Sequence, residues 1–250
     1  MPIATRGGLT ATVTTMREFP TMVTPPASAR VRLRITTVSG RVTVTAEPGA
    51  EVVVSSGSTT ATPDGDVEIR PRRVSDSVQV TCPAGADVII GTRSGNIELQ
   101  GALGSVGITS VSGAIQVGSV ADADLRTVSG SVELAECLGQ CRVSTKSGRI
   151  TVGTTRDAEI STVSGRVSLD DVGGSIDVRA VSGRVSIGSA ARGPVRVSMV
   201  SGAVTIRLPD GVRPSVQASG RGTVESAFES GDDVAINIAS MSGRVRLVTT

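Results

Sequence analysis

The sequence predicts an all-β protein: a single-stranded, right-handed parallel β-solenoid (β-helix) with coils of 17–19 residues. Three observations carry this reading. First, Ser-Gly recurs at Ser94, Ser112, Ser129, Ser147, Ser164, Ser182, Ser201, Ser219 and Ser242, in steps of 18, 17, 18, 17, 18, 19, 18 and 23 residues, and self-similarity at a fixed period is the signature of a repeat architecture. Second, each Ser-Gly is followed by x-[Val/Ile]-x-[Val/Leu/Ile], the period-two alternation of a half-buried strand. Third, 30 glycines beside only two Phe, and no Trp, Tyr or His, leave a core of small branched side chains joined by tight turns, which suits short strands.

Taken in order, residues 1–29 read as a polar tail ending in Pro25-Pro26. Residues 30–90 read as irregular N-terminal β coils, with an early Ser39-Gly40 and an acidic turn at Pro63-Asp64-Gly65-Asp66. Regular solenoid follows over 91–208. One apolar column there holds Ile97, Ile115, Val132, Ile150, Val167, Val185 and Val204, and the next holds Leu99, Val117, Leu134, Val152, Leu169, Ile187 and Ile206. A second alternating pair (Val106/Ile108, Ala123/Leu125, Cys141/Val143, Ala158/Ile160) completes each unit, so a coil is two short strands and two turns. Residues 209–250 read as C-terminal coils with an insertion, since Pro209-Asp210-Gly211 opens the long 23-residue step.

Ser-Gly is also a two-residue hairpin loop, so an antiparallel meander fits the same period. The columns favour the solenoid, because only there does each residue type meet its own kind in the next coil, at about 4.8 Å. The crossover rule makes the coil right-handed. A lone coil buries too little apolar surface to offset its ordering entropy, so stability is cooperative along the stack.

The repeated [Thr/Ser]-x-Ser-Gly-x-[Val/Ile]-x-[Val/Leu] units from Ser94 to Leu208, with the approach Val78–Leu99, resemble the bacterial putative-adhesin family of Ser-Gly β-strand repeat proteins, a domain family of unknown function. The resemblance spans residues 30–250 and implies a right-handed β-solenoid. It implies no catalytic residues to carry over.

Composition removes whole classes of chemistry. Without His there is no Ser-His-Asp triad, Cys-His dyad or His-ligated zinc. A net charge of +2 from 25 basic and 23 acidic residues creates no strong polyanion field, so no nucleic-acid partner is expected. Three Cys (Cys82, Cys137, Cys141) are an odd number at low density, as in a reducing compartment. With no apolar leader in the first thirty residues and no apolar run of 18, the expected localisation is cytoplasmic, without direct membrane insertion.

Candidate sites each carry two readings. The C-x3-C pair Cys137/Cys141 is a redox pair or half a metal site, or else two small core residues replacing Val120/Val172 and Ala123/Ile176; the column positions favour the core. Asp122, Asp124, Asp157, Asp170 and Asp171 are solvated turn residues or, remotely, the carboxylates of a polysaccharide lyase or hydrolase. Arg149, Arg166 and Arg184 follow Gly in three successive coils, matched by Arg41 and Arg244, and form either a basic ladder for a carboxylate or phosphate polymer or a solvated face. Val111, Val128, Val163, Val181 and Val200 precede Ser; strand parity places them outside, whereas a turn starting at the Thr before them would rotate them inward, and Lys146 interrupts the series.

These features point to a non-enzymatic scaffold or self-assembling interaction module with no cofactor or metal. An adhesin-like carbohydrate- or polyanion-binding module is the alternative. Expected partners are a protein or a second copy joined through the solenoid ends, and after these a polysaccharide. The strand Arg244–Val248, last in the sequence, is expected to leave Val245 and Leu247 on an open edge, unless the Phe228–Asp233 insertion folds back as a cap.

Overall fold

The computed structural model describes residues 12–14, 21–24, 31–55, 58–61, 66–71, 73, 75–190, 193–226 and 228–249. The expected tail, apart from short strands at Thr12–Thr14 and Thr21–Thr24, and the turn residues Pro63-Asp64-Gly65 lie outside them. The described residues form one continuous β stack, and none of their helices is long and apolar enough to cross a membrane.

Pairing decides between meander and solenoid. In the extended run Ile97–Val172, Ala158 pairs in parallel with Ile176, Ile160 with Val178, Gly165 with Gly183, Val167 with Val185 and Leu169 with Ile187. The next coil repeats the pattern, with Val178 beside Val197, Gly183 beside Gly202 and Val185 beside Val204. Partners one repeat apart, running parallel and in register, are coils of a solenoid. Its interior is the set of alternating residues read from the sequence, with Ile108, Leu125, Ile150, Ile160 and Leu169 fully buried.

The Ser-Gly corner explains why the period is strict. At Gly113, φ is +122° and a Cβ would overlap the Gly95 carbonyl oxygen of the preceding coil; the same contact recurs at Gly130, Gly148, Gly165, Gly183, Gly202 and Gly243. Only glycine fits where backbones stack this closely at positive φ. At four of the corners the hydroxyl two residues before Ser closes the turn from inside: Thr37, Ser110, Thr127 and Thr145 donate to the carbonyls of Ser39, Ser112, Ser129 and Ser147 at 2.9, 3.1, 3.4 and 3.2 Å. A local side-chain bond thereby satisfies a carbonyl that the turn takes out of the ladder.

At the C-terminal end the structure overturns the open edge expected at Val245 and Leu247. The strand Val234–Thr249 is paired on both sides. Val245 and Leu247 meet Val204 and Ile206 on one side, and Val224 and Ser226 on the other. Both side chains are fully buried. The outer layer is the segment earlier in sequence, Pro214–Gly220 and Thr223–Ser226, with Val216, Val224 and Phe228 packed against the core. The cap therefore exists and is larger than Phe228–Asp233 alone.

The other end inverts chain order in the same way. Strand Arg32–Thr36 lies between Asp66–Arg70 and Asp87–Ser94, and Val42–Glu47 lies between Val78–Pro83 and the start of the run at Ile97. Antiparallel strands Ser58–Ala61 and Val52–Val54 cover the layer beyond.

Candidate functional site

Three lateral features were candidates, and the structure treats them differently. The valines before Ser-Gly stand outward: Val111, Val128, Val163, Val181 and Val200 are each between 44% and 47% exposed. Strand alternation persists to the corner, the residue before each valine (Ser110, Thr127, Thr162, Ala180 and Met199) being buried. Serine hydroxyls fix the rungs, with Ser129, Ser182 and Ser242 donating to the carbonyls of Val111, Val163 and Val200 in the neighbouring coil at 3.3, 3.4 and 3.3 Å.

Two rungs escaped the sequence reading. Val38 extends the ladder at one end, where Arg93 interrupts it, and Met241, 68% exposed, extends it at the other. Both occupy the position before Ser-Gly, so the motif itself held the signal. From Val163 through Val181 and Val200 to Met241 the ladder runs without a charge. There it borders a groove of about 530 Å³. The inward column changes from Thr162 to Ala180 and Met199 beneath that stretch, so apolar atoms replace the hydroxyl at the corner.

The two faces meeting at this corner carry charge differently. Before the corner, acids and bases alternate and pair: Arg126 with Asp124 at 2.8 Å, Arg142 with Glu159 at 2.9 Å, and Arg179 with Asp177 at 2.8 Å and Glu159 at 3.7 Å. After the corner, Arg149, Arg166 and Arg184 stack in successive coils, all exposed. They make no ion pair or side-chain hydrogen bond among the described residues. They border a groove of about 670 Å³ over Gly130, Gly148 and Gly165. Arg244, expected to match them, is instead 4.0 Å from Glu225 of the outer layer.

Of the turn carboxylates, Asp122 and Asp157, joined by Asp87, brace the stack, whereas Asp124 pairs with Arg126 and Asp170 and Asp171 are exposed. Asp87, Asp122 and Asp157 accept the backbone N–H of Ser105, Gln140 and Ser175 in the next coil at 2.8, 3.0 and 2.8 Å. The Ser175 hydroxyl also donates to Asp157 at 2.7 Å, and these two donors hold the Asp157 carboxyl below its usual pKa. Opposite each carboxylate stands a glycine, Gly104, Gly139 or Gly174, with no Cβ to collide with it. The Asp positions are 35 residues apart: coils come in pairs, one giving Asp and one giving Gly. The alternation of 18- and 17-residue steps was the sequence signal of this pairing.

Cys137 and Cys141 are buried core residues, free of disulfides like Cys82. The Cys137 thiol donates to the Ala121 carbonyl at 3.7 Å. Donation to Cys137 and burial push the Cys141 thiol up, and burial pushes Cys82 up to about 11.

A family model matches residues 13–247, and the chain belongs to that family, Toastrack DUF4097, a putative-adhesin family of unknown function. Among solved structures it is similar to a putative adhesin from Bacteroides fragilis NCTC 9343, at 10% identity with 95% of this chain and 96% of that one covered and a TM-score of 0.40. It is also similar to a putative cell adhesion protein from Clostridium sporogenes ATCC 15579, at 12% identity with 96% and 100% covered and a TM-score of 0.23. No curated protein matches the chain.

Proposed function

We propose that this Toastrack chain is a non-enzymatic scaffold module that self-associates side by side through its valine corner. The observation that carries the reading is the charge-free exposed run Val163, Val181, Val200 and Met241 beside a groove lined by Ala180, Met199 and Ala239, with Arg179 as its one charged residue. Contiguous exposed apolar surface on a folded domain marks an interaction site. A second copy fits because its corner has the same period, one rung per coil, so ladder meets ladder over several rungs. A twofold arrangement is self-complementary. With the axis between Val181 and Val200, Val163 lies against Met241, and Lys146 falls outside the contact.

The test is the oligomeric state of the full chain. Sedimentation velocity over a hundredfold concentration range is expected to show a dimer, and the double variant Val181→Asp/Val200→Asp is expected to be a monomer with unchanged melting, since both side chains point outward. A monomer at every concentration, or a double variant that still dimerises, overturns the reading.

A further inference from the structure

We infer that the face carrying Arg149, Arg166 and Arg184 binds an acidic polysaccharide with one carboxylate per sugar, a polyuronate. This does not rest on the valine-corner dimer, which uses the other side of the Ser-Gly turn.

Three guanidinium groups repeat at the coil spacing of about 4.8 Å and repel one another. Elsewhere this protein resolves such proximity by interleaving acids: Glu159 sits between Arg142 and Arg179. No acid lies within the arginine column; Glu133, one coil before Thr151 in the next column, accepts from Gln116 at 3.5 Å. The strand positions two residues on are hydroxyls, Thr151, Ser168 and Ser186. The nearest carboxylate along the same strand, Asp170, lies four residues beyond Arg166, where it accepts weakly from Ser168 at 3.5 Å. The charges are therefore unneutralised and flanked by groups able to hydrogen-bond sugar hydroxyls.

The floor of the groove is glycine backbone, at Gly130, Gly148 and Gly165, where the absent Cβ atoms let a flat ring approach closely. The chain has two Phe and no Trp or Tyr, so there is no aromatic platform for neutral sugars. Recognition falls to charge and hydroxyls, which selects an acidic glycan.

The chemistry of the flanking groups narrows the class further. An extended pyranuronate chain advances per sugar by roughly one coil, so the carboxylates turned toward the ladder meet guanidinium groups in forked, two-point bonds. An extended acidic peptide presents same-face side chains every ~6.8 Å, and duplex DNA carries a charge every ~1.7 Å of axis. Neither carries the free ring hydroxyls that Thr151, Ser168 and Ser186 are placed to bond.

Affinity electrophoresis of the full chain in gels containing polygalacturonate tests this. The wild type is expected to be retarded. The triple variant Arg149→Gln/Arg166→Gln/Arg184→Gln is expected to bind at least tenfold more weakly, with its melting unchanged because all three side chains are exposed. The triple Lys variant is expected to fall between them, keeping charge but losing the fork. Fully methyl-esterified polygalacturonate, polyglutamate and duplex DNA are each expected to bind at least tenfold more weakly than polygalacturonate. Retardation that survives the triple Gln substitution, or polyglutamate or DNA binding as tightly as polygalacturonate, overturns the proposal. Should the triple Gln variant unfold, Arg166→Gln alone is read instead, with at least threefold weakening expected and no change overturning the proposal. Val181→Asp/Val200→Asp is expected to retain full polygalacturonate binding, so the two readings fail separately.

Discussion

Substituting two glycines of one coil separates the stacking constraint at the corner from ordinary glycine flexibility. Gly113 has φ +122°, and a Cβ there would overlap the Gly95 carbonyl oxygen. Gly107, six residues earlier, has a φ open to any residue, and its only neighbour within 4 Å of an added Cβ is the Ile89 side chain at 3.9 Å. For Gly113→Ala the backbone conformation costs about 1–3 kcal/mol. Parting the coils enough to admit a methyl group also weakens the Gly95 N–H bond to the Ser112 carbonyl, 3.3 Å in the native fold, at roughly 1 kcal/mol. The sum is about 3 kcal/mol, which for a chain of this size lowers Tm by roughly 6–12 °C. Gly107→Ala leaves the native conformation intact while restricting the unfolded chain, and it stabilises by about 0.4–1 kcal/mol. Thermal melts followed by circular dichroism read both. A Gly113→Ala variant melting within 2 °C of wild type, or a Gly107→Ala variant as damaged as Gly113→Ala, refutes the close-stacking argument.

Three other outcomes follow from the geometry. The Asp157 carboxyl titrates below the usual aspartate range because Ser175 donates to it twice; its stability contribution is present above the unfolded pKa and lost as pH falls through the folded one, so Tm is expected to drop less steeply from pH 5 to 3 in Asp157→Asn than in wild type. All three thiols are buried, so Ellman's reagent at pH 8 is expected to label none in the native protein and all three in denaturant. Val245→Pro is expected to unfold the C-terminal layers, because Val245 is paired on both sides and proline removes a ladder donor from a strand that is not an edge; an unchanged melt there would contradict the pairing.

Much of this was legible because a solenoid converts sequence period directly into space. Alternation along each strand assigns inside and outside, so the buried columns and the outward valines follow from parity once the corner is known. Cys137 and Cys141 are legible for the same reason: each occupies a column position that its neighbours fill with aliphatic residues. The paired-coil logic was present in the numbers but needed a partner to be visible. Asp122 reads as a solvated turn residue until Gln140, 18 residues on, is seen donating its N–H to it. The arginine face shows the same dependence. Sequence places Arg149, Arg166 and Arg184 in a column, yet that they lack acidic partners while Arg142 and Arg179 share Glu159 depends on which columns border one another.

The order of layers at the ends was not legible, because nothing local states which side of a coil the next segment joins. The clues were nonetheless apolar: Val216, Val224 and Phe228 sit in what reads as a loosened insertion, and all three pack against the core. Inverting the chain order has a physical consequence for the stack. An outermost coil exposes unpaired backbone groups and frays most readily. Here that layer is an internal segment, tethered at both ends and fastened by the Arg213 N–H to Asp233 at 2.9 Å and by Arg246 to Glu225 at 2.9 Å. Strand Val234–Thr249 is meanwhile clamped between two layers. Pro214 begins the edge strand, and Gly220 and Gly222 bracket its break before Thr223, features that make an edge a poor template for another strand. The C-terminal end is thus covered by its own chain, and there the regular, repeating surface lies along the sides of the stack.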